Sequence, residues 1–471
     1  MVGNSDALAE QKMQAAFAIE NQIAQKSYDQ VKSRDPKANI HKISWADLLR
    51  DYPGIDWMEA HRQYGYPTDI DTVDVGQPEP IHEVEKILAT ADLFALKAYM
   101  EASVISSSTS LLSDDFGNRR FEYVKAVYGI KEQQPRWKRG ISFIQGLMGE
   151  SIGKLYVAKY FPESSKKRVV DMVHNLQDAF AQRIEENTWM TPATKAKAIE
   201  KLRSMRINIG YPDKWQNMEE YVQIDESKSL RANYDEIIPA LRRRNLEKKW
   251  GKKVDKTVFA CNPQVVNAFY APSYNSINFP AAILQAPFFD PNADDAANYG
   301  AIGTVIGHEM SHGFDDQGCQ FDKDGNLNNW WTAEDKANYD QRTKVLADWF
   351  STQEVQPGLK VDGKKTLGEN IGDNGGINVA YRALQNAVKL QPLGDKDGFS
   401  PSQRFFLSYG RIWASNVAPQ FVAYLVNSDV HSPNQLRVNA ALPHIDAWYT
   451  AFGVKPGDKL YLALDKRAHI W

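Results

Sequence analysis

The sequence predicts a mainly α protein with a smaller α+β part. Long amphipathic stretches crowd its first half, a strand-turn-strand pattern opens its second half, and Gly and Pro fall between these runs. Helical spacing of apolar residues appears over 8–28, 84–112, 144–161 and 169–189. Thr191-Pro192 then supplies a cap and first turn for a further helix running through Met205. Breakers separate these elements at Tyr52-Pro53-Gly54, at Gly76-Gln77-Pro78-Glu79-Pro80 and at Gly210-Tyr211-Pro212. A basic run follows at Arg242-Arg243-Arg244, continued by Lys248, Lys249, Lys252 and Lys253, and charge gives way to strand-like sequence across 249–258. The expected division is therefore 1–250, helical, and 251–471, mixed. The second part opens with Val265-Val266-Asn267-Ala268-Phe269-Tyr270, turn formers Pro272, Ser273 and Asn275, and Ile277-Asn278-Phe279, a hairpin pattern.

Composition is that of an ordinary globular chain able to bury large cores. It has 471 residues, 43% hydrophobic and 24% charged, with net charge −3. That balance, and Glu247 interrupting the basic run, argue against a nucleic-acid partner. No apolar stretch approaches the ~20 residues needed to span a membrane. The only cysteines are Cys261 and Cys319, so stability is expected from packing rather than from disulfides. Asp322-Lys323-Asp324-Gly325-Asn326 opens like a calcium loop, yet Ala333 stands where a bidentate glutamate is needed, so it reads as a turn.

The chemistry concentrates at His308-Glu309-Met310-Ser311-His312. Ile302, Val305, Ile306 and Met310 recur at spacings of three and four, which predicts a buried helix through this segment. On a helix, His308 and His312 share one face and can reach one metal, while Glu309 leans toward a bound water. Zinc suits such ligands: it polarises a carbonyl and lowers the pKa of its water, whose proton the glutamate takes. A buried histidine pair satisfied by core hydrogen bonds is the plain alternative, but it leaves a charged Glu309 without a partner.

A third ligand has to come from elsewhere, and Gly368-Glu369-Asn370-Ile371-Gly372-Asp373-Asn374-Gly375-Gly376 is the best supplier. Glu369 and Asp373 stand four apart on one helical face. One carboxylate can bind metal while the other holds a ligand imidazole by its free nitrogen. An acidic first turn complementing the helix dipole explains the same residues without a metal. Gly372, Gly375 and Gly376 cost helix stability, which suggests close packing against another element or a ligand site.

Four blocks in this order resemble the neprilysin and endothelin-converting enzyme family of zinc peptidases, which includes bacterial PepO-type oligopeptidases. They are Val266 to Tyr270, Val305 to Asp316, Leu367 to Gly376, and Asp429-Val430-His431-Ser432-Pro433 with Arg437. The resemblance implies a neprilysin-like architecture, a thermolysin-like zinc peptidase domain at 251–471 capped by a large helical domain at 1–250. It also implies that an amino-terminal portion of the family's ectodomain, part of that cap, is absent. By position, His308, His312 and Glu369 match the zinc ligands of one Zn2+ per chain, and Glu309 matches the base that activates water. Asp373 matches an aspartate that either orients a ligand histidine or donates a proton, and orientation is favoured because a carboxylate beside zinc-bound imidazole stays ionised. Asp315 matches a second acid bracing the other imidazole, and His431 matches a donor to the oxyanion. Arg437 matches the arginine that grips the substrate carbonyl beyond the scissile bond, and Asn267 and Ala268 match the segment that holds an extended peptide.

Thr304, Val305 and Trp413 match positions lining the pocket beyond the cleaved bond, so cleavage is expected on the amino side of bulky hydrophobic residues. The implied partners are oligopeptides, with no nucleic acid and no membrane span. A bacterial periplasmic or secreted setting is expected, with the cytoplasm as alternative. The competing reading is a catalytically weak zinc-binding fragment, acting as a binding or assembly module or as one piece of a split peptidase. The intact Glu309 argues against it.

Overall fold

Ten side chains of the helix Glu163–Glu186 are buried, and Val169, Val173, Leu176, Phe180 and Ile184, at spacings of three and four, have no exposed surface. That stripe is the spine of the larger of two compact units in a computed structural model that describes residues 3–471. The units comprise 1–134 with 219–253, and 135–218 with 254–471. The packing therefore does not follow a single change of domain near residue 250. Residues 135–218 belong with the carboxyl-terminal half for two physical reasons. Strand Arg206–Gly210 pairs in parallel with Ser276–Pro280, and Glu163–Glu186 packs against the helix Leu367–Leu390.

The smaller unit is helical. Its helix Asp6–Lys26 starts at Ser5, whose hydroxyl accepts from Leu8 N–H, and it packs against Pro78–Thr90 and Leu93–Ser108. Lys12 joins Glu101 at 2.6 Å along that contact. A two-stranded ribbon, Lys42–Ser44 with Thr72–Asp74, covers a satellite core of Leu48, Tyr52 and Val75. The basic run lies on the helix Leu230–Lys249, where the Arg242 guanidinium sits 4.8 Å over the Tyr64 ring and that of Arg244 5.2 Å over Tyr221.

In the larger unit the only three-stranded sheet among the described residues places Ser276–Pro280 at its centre. That strand is buried throughout and pairs antiparallel with Phe269–Ala271, one of the sheet's two edge strands. The ladder begins at Phe269. Asn267 N–H turns back to Val265 C=O, so Asn267 and Ala268 precede the strand instead of belonging to it. Across the sheet, Thr304–Ser311 lies against Leu367–Leu390 so closely that a Cβ on Gly307 would stand 2.9 Å from Gly376 Cα. This contact accounts for the glycines of the second helix. Among the described residues no helix is long and apolar enough to cross a membrane.

The carboxyl-terminal segment carries a pH-sensitive contact. His444 is buried, and its Nδ1 accepts the Ala468 N–H at 2.9 Å, which fixes a neutral ring. Burial, then the positive charges of His469 and Arg467, push its pKa from 6.5 down to about 4. A histidine that stays neutral when folded binds fewer protons than when unfolded between these values, so its contribution is full above pH 6.5 and lost by pH 4. We predict that His444→Gln flattens the fall in unfolding free energy between pH 7 and 4.5, by up to roughly 3 kcal/mol. Urea unfolding at several pH values measures this, and an unchanged slope contradicts it.

Candidate active site

The helix Thr304–Ser311 is buried on every side except at Val305, and it continues a π-helical turn formed by Tyr299–Gly303. Thr304 Oγ1 donates back to Ala301 C=O at 2.7 Å, which anchors the junction. One turn on, the His308 and His312 rings lie 4.5 Å apart and nearly perpendicular. Both point across the helix contact toward Glu369, in the first turn of Leu367–Leu390. Glu369 Oε2 is 3.2 Å from His308 Nε2 and 3.6 Å from His312 Nε2.

The opposite ring nitrogens are already committed. His308 Nδ1 lies 2.9 Å from Asp373 Oδ1, and His312 Nδ1 lies 2.7 Å from Asp315 Oδ2. Carboxylates accept, so each Nδ1 carries a proton; burial opposes a second charge on the rings, yet the facing carboxylates raise the pKa of both, and the Nε2 turned toward Glu369 is the atom that gives up its proton when a cation binds. Glu369 Oε2 is buried and makes no well-formed hydrogen bond, despite these short separations. One candidate ligand atom from each of the three residues lies within 4.8 Å of the others. Lone pairs from two imidazoles and a carboxylate converging at that spacing fit a divalent cation with nitrogen and oxygen ligands, and zinc best.

The bracing acids are themselves held. Asp373 accepts from Arg437 Nε at 2.8 Å and from Nη2 at 2.6 Å. Burial pushes the Asp373 pKa up, but the Arg437 guanidinium and His308 hold it below the usual carboxylate value. Asp315 Oδ1 accepts the N–H groups of Gln317 and Gly318 at 2.9 and 2.6 Å. Burial likewise opposes the charge on Glu369, yet His312 and the other ring nitrogens hold its pKa well below 4.5.

A cavity of about 210 Å³ opens beside this centre. Its walls bring together Asn267, Ala268, Thr304, Val305, His308, Glu309, Asp373, Trp413, His431 and Arg437. The ligand candidates His312 and Glu369, with Asp315 behind them, lie outside that wall. His431 is half exposed, with Nε2 3.2 Å from Glu369 Oε2 and Nδ1 2.7 Å from Asp429 Oδ1. Burial would lower its pKa, but Asp429 and Glu369 raise it to about 9, which makes both ring nitrogens donors. The Arg437 guanidinium also lies 3.8 Å over the Trp413 ring. Four wall residues were not among the site residues expected from the sequence: Val266, which stood only in a matching block, Ile283, Phe288 and Tyr409. Ile283 and Phe288 belong to an apolar run directly after the central strand. Their only signal was hydrophobicity, which core residues share.

Known proteins resemble this chain over most of its length. One model of peptidase family M13 matches residues 267–468, and the amino-terminal model of the same family matches 1–212. The neutral endopeptidase of Lactobacillus helveticus is 35% identical over 467 residues, which cover 98% of this chain and 70% of that protein. Human neprilysin is 30% identical over 485 residues, covering 98% and 64%. Among solved structures, the inhibitor complex of Mycobacterium tuberculosis zinc metalloprotease ZMP1 superposes with TM-score 0.95 at 36% identity. It is matched over 100% of this chain and 72% of that one. PepO from Lactobacillus rhamnosis gives 0.91 at 31% identity, over 100% and 73%. The chain thus spans 64–73% of the length of these relatives. The expectation of an absent amino-terminal portion is corrected to this extent: the family's amino-terminal model is matched from residue 1.

Because Asp373 orients a ring nitrogen donor, Asp373→Asn is expected to weaken zinc binding about 10- to 100-fold. Competition with a chromogenic chelator measures this. An affinity within twofold of the parent would show that the carboxylate does not support the ligand.

Proposed function

The chain belongs to peptidase family M13, the neprilysin and endothelin-converting enzyme family of zinc metallopeptidases, and on that premise we propose that it hydrolyses oligopeptides on the amino side of hydrophobic residues. The observation that carries this reading is the position of Glu309. It follows a candidate metal ligand, and it lines the same cavity as His431 and Arg437. His308, His312 and Glu369 hold one zinc ion in this reading. When bound there, zinc supplies Lewis acidity toward a peptide carbonyl and lowers the pKa of water.

The chain's own residues do the rest. Glu309 takes a proton from the attacking water as its oxygen bonds to the carbonyl carbon, then delivers it to the leaving amine as the C–N bond breaks. His431 donates from Nε2 to the oxygen that becomes negative, and Asp429 keeps the ring turned for that task. Two of the Arg437 nitrogens hold Asp373, which leaves Nη1 to meet the carbonyl of the residue beyond the cleaved bond. Asn267 and Ala268, just before the edge strand, offer backbone and amide groups to an extended peptide. Ile283, Phe288, Val305 and Trp413 line an apolar recess for the side chain after the scissile bond. A merely zinc-stabilised binding module has no use for a carboxylate placed as Glu309 is.

Glu309→Gln tests the reaction. It should retain its zinc and lose roughly 10²- to 10⁴-fold in kcat/KM on a fluorogenic peptide. Equal rates in the two proteins would sink the assignment. Specificity has a separate test: paired peptides differing only after the scissile bond should favour Phe or Leu over Ala by roughly 10- to 200-fold. Chromatography of the products also places the cut, and hydrolysis on the carboxyl side of those residues would contradict the proposed register.

A further inference from the structure

Lys201, near the end of the helix Pro192–Arg203, is only 1% exposed. Its Nζ donates to three backbone carbonyls: Gly313 at 2.6 Å, Gly318 at 2.7 Å and Phe321 at 2.7 Å. Among the described residues no side-chain carboxylate bonds to it. The faces of Phe314 and Trp330 lie at 5.6 and 5.8 Å. Burial pushes the amine's pKa down to about 7, while three acceptors call for three N–H groups, which only the ammonium form has. Asn275 Nδ2 donates to the backbone carbonyl of Lys201 at 3.2 Å and so fixes the base of the side chain.

The three carbonyls belong to the segment that follows His312 directly. Gly313 and Gly318 bracket Asp315, the acid that braces His312 Nδ1. The turn is folded so tightly that a Cβ on Gly318 would stand 1.7 Å from His312 C=O. A buried ammonium without a fixed shell of acceptors is costly, so the cation and the turn hold each other in one geometry. Resting on the zinc assignment made above, we propose that Lys201 is a positioning residue for the ligand His312. By gathering the carbonyls of Gly313, Gly318 and Phe321, it keeps the Asp315 carboxylate within hydrogen-bond distance of the ring. Lys201 never meets the metal or the substrate; it acts through the turn.

The test is a double-mutant cycle read as zinc affinity. Parent, Lys201→Met, Asp315→Asn and the double variant are titrated against a competing chelator, and thermal unfolding of the zinc-free proteins is recorded alongside. Lys201→Met should weaken zinc binding about 10- to 100-fold, and adding Asp315→Asn should weaken it little further, because both changes disable one brace. If Lys201→Met instead binds zinc within twofold of the parent, whatever its melting temperature, or if the two losses multiply, the proposal is overturned. Should that variant fail to fold, Lys201→Arg is read against the same criteria, since it keeps the charge but not the three-point grip. Failure of the underlying zinc assignment looks different: the parent protein itself would hold no zinc that is lost with His308→Ala or Glu369→Gln.

Discussion

Everything in the catalytic unit turns on the face-to-face packing of Thr304–Ser311 and Leu367–Leu390, where Gly307 meets Gly376 with no side chain between them. Only at that separation do the Nε2 atoms of His308 and His312 and the carboxylate of Glu369 fall within 4.8 Å of one another. A Cβ at Gly372 would lie 2.7 Å from His308 Cε1, so the glycines clear room for the ring as well as for the backbone. Propensity is sacrificed along one helix to make a ligand set possible.

The buried charges are arranged in balanced layers around that contact. Glu369 faces three imidazoles, those of His308, His312 and His431, Asp373 faces His308 and Arg437, and Asp315 faces His312 and two backbone N–H groups. Removing one member would leave another buried without its partner, a loss of several kcal/mol in comparable sites. The loop carrying His431 is tied to the same helix. Ser432 Oγ donates to Asn370 Oδ1 at 2.8 Å, one residue from Glu369, and Lys365 Nζ donates to Val426 C=O just before the loop. Glu369 and the loop of His431 therefore share one anchor, the amino-terminal end of Leu367–Leu390. On the other side Lys201 fixes the turn that carries Asp315, so each imidazole is oriented by an acid that is itself held from behind.

Much of this was legible because it follows helical arithmetic. Spacing of four places His308 with His312 and Glu369 with Asp373 on single faces, and the glycines of the second motif announced close packing. The larger helices were legible for the same reason. What local pattern misses is what depends on distant pairing. The parallel ladder between Arg206–Gly210 and Ser276–Pro280 binds 135–218 to the catalytic unit, although composition changes near residue 250. Val265 to Ala268 reads as strand by residue type, but the turn at Asn267 postpones the ladder to Phe269. Lys201 carries no local signal at all, because nothing in the neighbouring sequence shows that three carbonyls from over a hundred residues away close over it.

The central claim is that two imidazoles and one carboxylate, each in a fixed orientation, form a single zinc site. X-ray absorption at the zinc K-edge of the metal-loaded protein tests it most directly. The account predicts one zinc per chain in a four-coordinate nitrogen and oxygen shell near ~2.0–2.1 Å, with multiple scattering from two imidazoles. Sulfur scattering near ~2.3 Å, or a spectrum without two imidazoles, would contradict it.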